Sequence, residues 1–206
     1  MKTVFTNAEL PHIWAYQSQN EGRTPNGSFY FNRESIYSYG RHFVIATIVE
    51  STQTVFFTER SYSNTTVRHI YKTAAAIPFG FNKIYCPYPP TFCGYDENRK
   101  LFSNKEENFK YWLNEAEFSA KKLTNARKPE IYLSQLQEIE NKVNAFCKYF
   151  KIKAPKKLQN VLSVKDKEDL STYLKKQKEA EKRQKAKERK AKAAYIEEQH
   201  KNMMQQ

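Results

Sequence analysis

Residues 28–58 hold four runs rich in Val, Ile, Phe, Tyr and Thr, at 28–32, 35–39, 42–50 and 54–58. The gaps between them are Arg33-Glu34, Gly40-Arg41 and Ser51-Thr52-Gln53. β-Branched and aromatic side chains favour strands. Gaps of two or three residues join only neighbouring antiparallel strands, because a parallel pairing needs a crossover of a dozen residues or more. The chain is thereby held to a four-stranded antiparallel meander near its start. The stretch IYSYGRHFVI, residues 36–45, crosses the second gap. It carries two tyrosines, a serine, an arginine and a histidine where a half-buried strand needs only alternation. Those groups are either the wet side of the sheet or a site.

Helical patterns flank the meander. Residues 8–18 read as a short helix with Pro11 in its first turn, where a missing N–H costs nothing. Ser63-Asn64-Thr65-Thr66 is a polar start for a helix over 64–76. Val67, Ile70, Tyr71 and Ala74 recur at helical spacing, and Pro78 stops it. Packed on the sheet, this helix completes an α+β domain over 1–78. Residues 79–102, with Pro87, Pro89 and Pro90, read as a long connecting loop.

The second half reads as helix. Ser103-Asn104-Lys105-Glu106 has the spacing of a capping box and opens a helix to about residue 125. Pro129 suits the start of another. There Tyr132, Leu136, Ile139, Val143, Phe146 and Phe150 alternate spacings of four and three, a seam of coiled-coil type. The two predict an antiparallel hairpin over 103–155, with self-association through 103–150 as one use of the seam. A last segment, 163–206, docks through Leu170, Tyr173 and Leu174.

Beyond Lys175 the apolar stripe ends. Residues 175–192 carry ten Lys/Arg against three Glu. Helix propensity is high there but nothing packs the segment, which predicts a projecting basic helix. It concentrates a wider bias. The formal charge is +13, of which residues 1–100 supply +3 and residues 101–206 supply +10. Such an excess favours polyanions, nucleic acid first among them. The 14 Tyr, 14 Phe and 2 Trp are enough rings to bury a core, which excludes wholesale disorder.

Several classes drop out. Three cysteines without a C-x-x-C, and four scattered histidines, support neither a disulfide framework nor a zinc site. Cys86 and Cys93 could pair across a loop, but the expectation is free, buried thiols. The opening MKTVFTNAELPH lacks the apolar core of a signal peptide, and no run approaches the roughly 18 apolar residues of a membrane span. The expected setting is intracellular, which the inside of a virion would match equally, with no membrane partner. No H-E-x-x-H, P-loop, G-x-S-x-G or G-x-G-x-x-G occurs, so no metal or cofactor is expected.

Two constellations remain. The first is a nucleic-acid surface. Ser35, Tyr37 and Tyr39 are expected on one side of their strand, with Arg33, Arg41 and Arg60 beside the rings and Arg23 and Arg68 also placed to meet phosphates. Phe29 and Phe31 are expected in the core, with Tyr30 opposite. Lys182, Arg183, Lys185, Lys187, Arg189 and Lys190 add charge from the tail. The second is catalytic. His42 and His69 flanking one pocket would act as general acid and base, with Tyr37, Ser38, Ser63 and Thr66 as hydroxyls, which suits metal-free RNA cleavage.

Four motifs carry a resemblance: W-A-Y-Q (14–17), G-R-T-P-N-G-S-F-Y-F (22–31), I-Y-S-Y-G-R-H-F-V-I-A (36–46) and Y-S-N-T-T-V-R-H (62–69). Over residues 8–77 the chain resembles a family of small, uncharacterised proteins of bacteriophages, plasmids and their hosts. The resemblance implies a phage or mobile-element setting and supplies no mechanism. The expected function is an accessory protein that binds nucleic acid. A ribonuclease using His42 and His69, and a virion or scaffolding protein with a genome-contacting tail, stand beside it.

Overall fold

The sheet is larger than the meander and has helices on both faces. The computed structural model describes residues 2–94 and 99–204. A short helix α1 (Glu9–Ala15) precedes strands β1 (Glu21–Arg23), β2 (Phe29–Asn32), β3 (Ser35–Ser38), β4 (Val44–Val49) and β5 (Thr54–Thr58). Helix α2 (Asn64–Ala76) follows, then β6 (Asn82–Cys86), β7 (Thr91–Cys93) and β8 (Lys100–Phe102). Helices α3 (Lys105–Thr124), α4 (Pro129–Phe150), α5 (Lys156–Leu162) and α6 (Lys167–Met204) complete the chain.

Strands β2 to β5 form the expected antiparallel meander. The sheet itself has six strands, ordered β1-β2-β3-β4-β5-β6, so the four-stranded expectation is corrected at both edges. β1 is Glu-Gly-Arg, which no propensity marks as a strand. It pairs with β2, and the Phe31 and Phe5 rings pack where a side chain would otherwise be. A Cβ on Gly22 would lie 2.6 Å from Phe31 Cε1. β6 pairs parallel to β5, with α2 as the crossover that parallel pairing requires. The expected loop at 79–102 is therefore also corrected. It contains β6 and a separate two-stranded ribbon, β7–β8, while its residues 95–98 lie outside the described ones.

One face of the sheet packs Phe29, Phe31, Ile36, Ile48, Val55 and Phe57 against Leu10, Trp14 and Ala76 of α1 and α2. The other packs Val49, Phe56, Ile84 and Cys86 against α3, α4 and α5. The hairpin of α3 and α4 forms as expected. Its seam is spent within the chain, since Leu136, Ile139, Val143 and Phe146 are buried in this second layer. α5, unmarked in sequence, adds Leu158, Val161 and Leu162 to it.

Local chemistry explains the ends. Helix α3 is capped by Asn104, whose side chain accepts from Glu107 N at 3.3 Å. Ser103, the expected cap, is buried and its hydroxyl has no hydrogen-bond partner. Thr6 and Glu9 exchange reciprocal hydrogen bonds at the start of α1, a capping pair with T-x-x-E spacing. Ser63 caps α2 by accepting from Thr66 N at 3.2 Å. Ser63→Ala should cost about 1 kcal/mol, read as a lower urea midpoint. An unchanged midpoint would show that α2 does not depend on this cap.

Of the three cysteines, Cys86 is buried, Cys93 exposed and Cys147 half-buried, and all are free thiols. No described helix is long and apolar enough to cross a membrane.

Candidate functional site

The β3–β4 region divides its polar residues between the two faces of the sheet. The two-residue turn at Arg33-Glu34 sets the register Phe31↔Ile36 and Tyr30↔Tyr37. Phe29 and Phe31 alternate into the α1/α2 layer, which leaves Tyr30 and Tyr37 on the opposite face. Their rings stack with centroids 5.0 Å apart and planes 11° apart. Burial raises both phenol pKa values above the ordinary one, and Arg41 opposes that rise. Both hydroxyls stay protonated, and can donate, at neutral pH.

Arg23 of β1 lies directly across from Tyr30. Arg23, Tyr30 and Arg41 line one shallow cavity of about 260 Å³. The expected nucleic-acid set is thus brought together in part, around Arg23, Tyr37 and Arg41, with Tyr30 added. Tyr30 was legible, because the two-residue turn at 33–34 already places it opposite Tyr37.

Arg33 sits in the β2–β3 turn at positive φ, at the other end of β3 from Arg41. Arg68 is exposed on α2. Tyr39 is the clearest correction. A regular strand would set it beside Tyr37. Instead β3 ends at Ser38, Tyr39 takes φ +57°, and its ring lies 6.2 Å from that of His69, on the α2 side.

On that side Ser38 Oγ and His69 Nδ1 are 2.9 Å apart. The His69 imidazole stacks on Phe29 at 4.2 Å and 5°. It is only 3% exposed. Burial lowers its pKa, and Lys72 adds to the effect. A second cavity, of about 340 Å³, is lined by Ser38, Tyr39, His42, Phe43, Tyr62, Ser63 and Thr66. Most of the expected catalytic group therefore gathers here. His42 is exposed at the rim, while His69 lies behind Ser38 and reaches the cavity through that hydroxyl. Tyr37 is on the other face of the sheet, so the trio His42, His69 and Tyr37 does not form one site. Arg60 borders the cavity, its guanidinium 5.1 Å from the Tyr62 ring and 5.9 Å from Phe43. Nothing in the sequence tied Phe43 to Tyr62 and Arg60 as one ring-and-cation cluster, because only tertiary contact joins the β3–β4 turn to the approach to α2.

The neutral, buried His69 has a consequence for stability. Its pKa is lower folded than unfolded, so between the two values the unfolded chain binds the extra proton. Stability is full above about pH 6.5 and falls as pH drops through that value. Urea midpoints at about pH 7.5 and about pH 5.5 should differ more in the wild type than in His69→Gln, which keeps a partner for Ser38 but cannot titrate. Equal differences would overturn this.

The basic tail is the third element. α6 docks through Leu170, Tyr173 and Leu174, and then leaves the core. It begins at Lys167 where 163 was expected, and residues 205–206 of the expected tail lie outside the described ones. Every residue from Lys182 to Lys190 is exposed. At 3.6 residues per turn, Lys182, Lys185 and Arg189 form one ridge, and Arg183, Lys187 and Lys190 form the next. Gln184 and Glu188 hydrogen-bond each other on the remaining side.

Among the described residues no group of three or more His, Cys, Asp or Glu is placed to hold a metal ion. No family model matches the chain, and neither a curated protein nor a solved structure is significantly similar to it.

Proposed function

We propose that the protein binds nucleic acid, using the two basic ridges of α6 for affinity and the Arg23/Tyr30/Tyr37/Arg41 face for additional contact. The observation that supports this most is the ridged distribution of exposed charge on α6. Six cations on two adjacent ridges, with the acidic residue between them turned away, suit a phosphate backbone whatever its sequence. Long cationic side chains along exposed ridges meet phosphates whatever the bases, so the binding we infer is non-specific in sequence. The sheet face adds a stacked pair of phenols, of which Tyr30 shares its cavity with Arg23 and Arg41. The role we infer is that of an accessory protein, in the phage or mobile-element setting that residues 8–77 suggest.

The test is a titration of the full-length protein against labelled single-stranded RNA and double-stranded DNA at low and at physiological salt, with strand lengths checked on a gel. Binding of both that weakens steeply with salt, and leaves the strands intact, is the expected result. Absence of binding at low salt would sink the reading. Strand cleavage that His42→Ala abolishes would replace it with the ribonuclease.

A further inference from the structure

The cavity on the α2 side has no place in the charge-based reading, and its walls suit a specific kind of guest. Tyr39 and Tyr62 line it while remaining 57% and 65% exposed, and Phe43, only 3% exposed, adds a buried ring. Tyr62 meets Phe43 edge-on at 4.9 Å. These rings belong to different segments, the β3–β4 turn and the approach to α2. The polar lining consists of short hydroxyls, Ser38, Ser63 and Thr66, together with the His42 imidazole. Among the described residues no acidic side chain lines the cavity, and two cations stand near its walls: Arg60 against Tyr62 and Phe43, and Lys72 near His69. At about 340 Å³ it is at the small end of ligand sites, large enough for a single ring system.

We infer that this cavity receives one unpaired base of a single-stranded nucleic acid, stacked against Tyr39 or Tyr62, with its edge toward the hydroxyls and a phosphate toward Arg60. Exposed aromatic rings with adjacent hydrogen-bonding groups are how proteins take splayed bases. Cations around an aromatic slot favour a guest whose ends carry negative charge. A duplex presents a base in this way only by unpairing and unstacking it, so the cavity confers a preference for single strands that the tail alone lacks. Tyr39 is held in position by its left-handed backbone, which directs the ring away from the Tyr30/Tyr37 face.

The inference rests on the nucleic-acid reading, and one experiment separates the two. The full-length protein is titrated with a short single-stranded oligonucleotide and with the same strand carrying abasic sites in its centre. The phosphates are identical, so α6 binds both. The base-bearing strand should bind roughly 5- to 150-fold more tightly, the effect of losing one aromatic stack. At least one of Tyr62→Ala and Tyr39→Asn, the one that removes the stacking ring, should shrink that ratio while leaving affinity for the abasic strand unchanged. Both residues are exposed, and Asn tolerates left-handed backbone, so the variants keep the fold. Equal affinity for the two strands overturns the inference and leaves the tail reading standing. A ratio that persists in both variants places the base elsewhere and also overturns it. Binding of neither strand sinks both readings.

Discussion

Replacing Lys182, Arg183, Lys185, Lys187, Arg189 and Lys190 together by glutamine should flatten the salt dependence of nucleic-acid binding. Each phosphate neutralised releases counterions, and contributes about 0.9 to the slope of log affinity against log salt on a duplex, or about 0.7 on a single strand. Losing six contacts lowers the slope by about 5 on duplex DNA and by about 4 on single-stranded RNA. In the wild type such a slope corresponds to about a thousandfold loss of affinity between about 50 and about 200 mM salt. Glutamine keeps helix propensity near that of lysine and arginine, so circular dichroism should be unchanged. The six side chains are exposed, so the core does not feel the change. An unaltered slope would mean that the phosphates are met elsewhere, with Arg23 and Arg41 of the sheet face the next positions to neutralise.

The largest effect on stability is expected at Trp112. Its ring is 1% exposed, packs edge-on against Phe146 at 5.3 Å, and donates from Nε1 to Glu59 at 2.7 Å. Glu59 also accepts from Lys142 of α4 at 2.7 Å. Trp112 therefore ties α3 to the end of β5 and, through the same carboxylate, to α4. Trp112→Ala removes the ring from the centre of that layer and should cost about 3–5 kcal/mol. Trp112→Phe keeps most of the packing but leaves one Glu59 oxygen without its donor, for about 1–3 kcal/mol. A typical domain is stable by only about 5–15 kcal/mol, so the alanine variant should be close to unfolding at modest urea.

The second tryptophan makes this experiment sharper. Trp14 is fully buried in the opposite layer and donates to the Glu34 carbonyl at 3.1 Å. In Trp112→Phe the remaining tryptophan fluorescence reports the α1/α2 layer alone. The two layers share one sheet, so that signal should move to lower urea together with the far-ultraviolet dichroism. A Trp14 transition that stays at the wild-type midpoint would show that the layers unfold separately.

Much of this architecture was legible before any coordinates, for local reasons. The two-residue gap at Arg33-Glu34, and the short one around Gly40-Arg41 that the structure widens to residues 39–43 and so takes His42 out of the strand, dictated antiparallel neighbours, and the alternation of Phe29 and Phe31 with Tyr30 told the inner face from the outer. The Ser63 cap, Val67 and Ile70, and Pro78 bounded α2. Pro129 and the four-three spacing from Tyr132 to Phe150 marked α4. The run of lysine and arginine after Lys175 announced a helix with nothing to pack it. Each of these signals lies within a few residues of what it specifies.

What only the tertiary structure decided depends on partners distant in sequence. β6 is a strand because β5 offers it an edge, and Asn82-Lys83-Ile84-Tyr85-Cys86 among prolines carries no local sign of that. β1 exists because Phe31 and Phe5 pack over Gly22. Tyr39 leaves the side of Tyr37 because the strand stops one residue earlier and the backbone turns left-handed. His69 meets Ser38 across 31 positions, and Phe43 meets Tyr62 only when the turn after β3 folds toward the start of α2. Side-chain type and spacing determined which segments are helix, strand or charged tail. The pairing of edges, and the cavity between two turns, came from contacts that no short window of sequence contains.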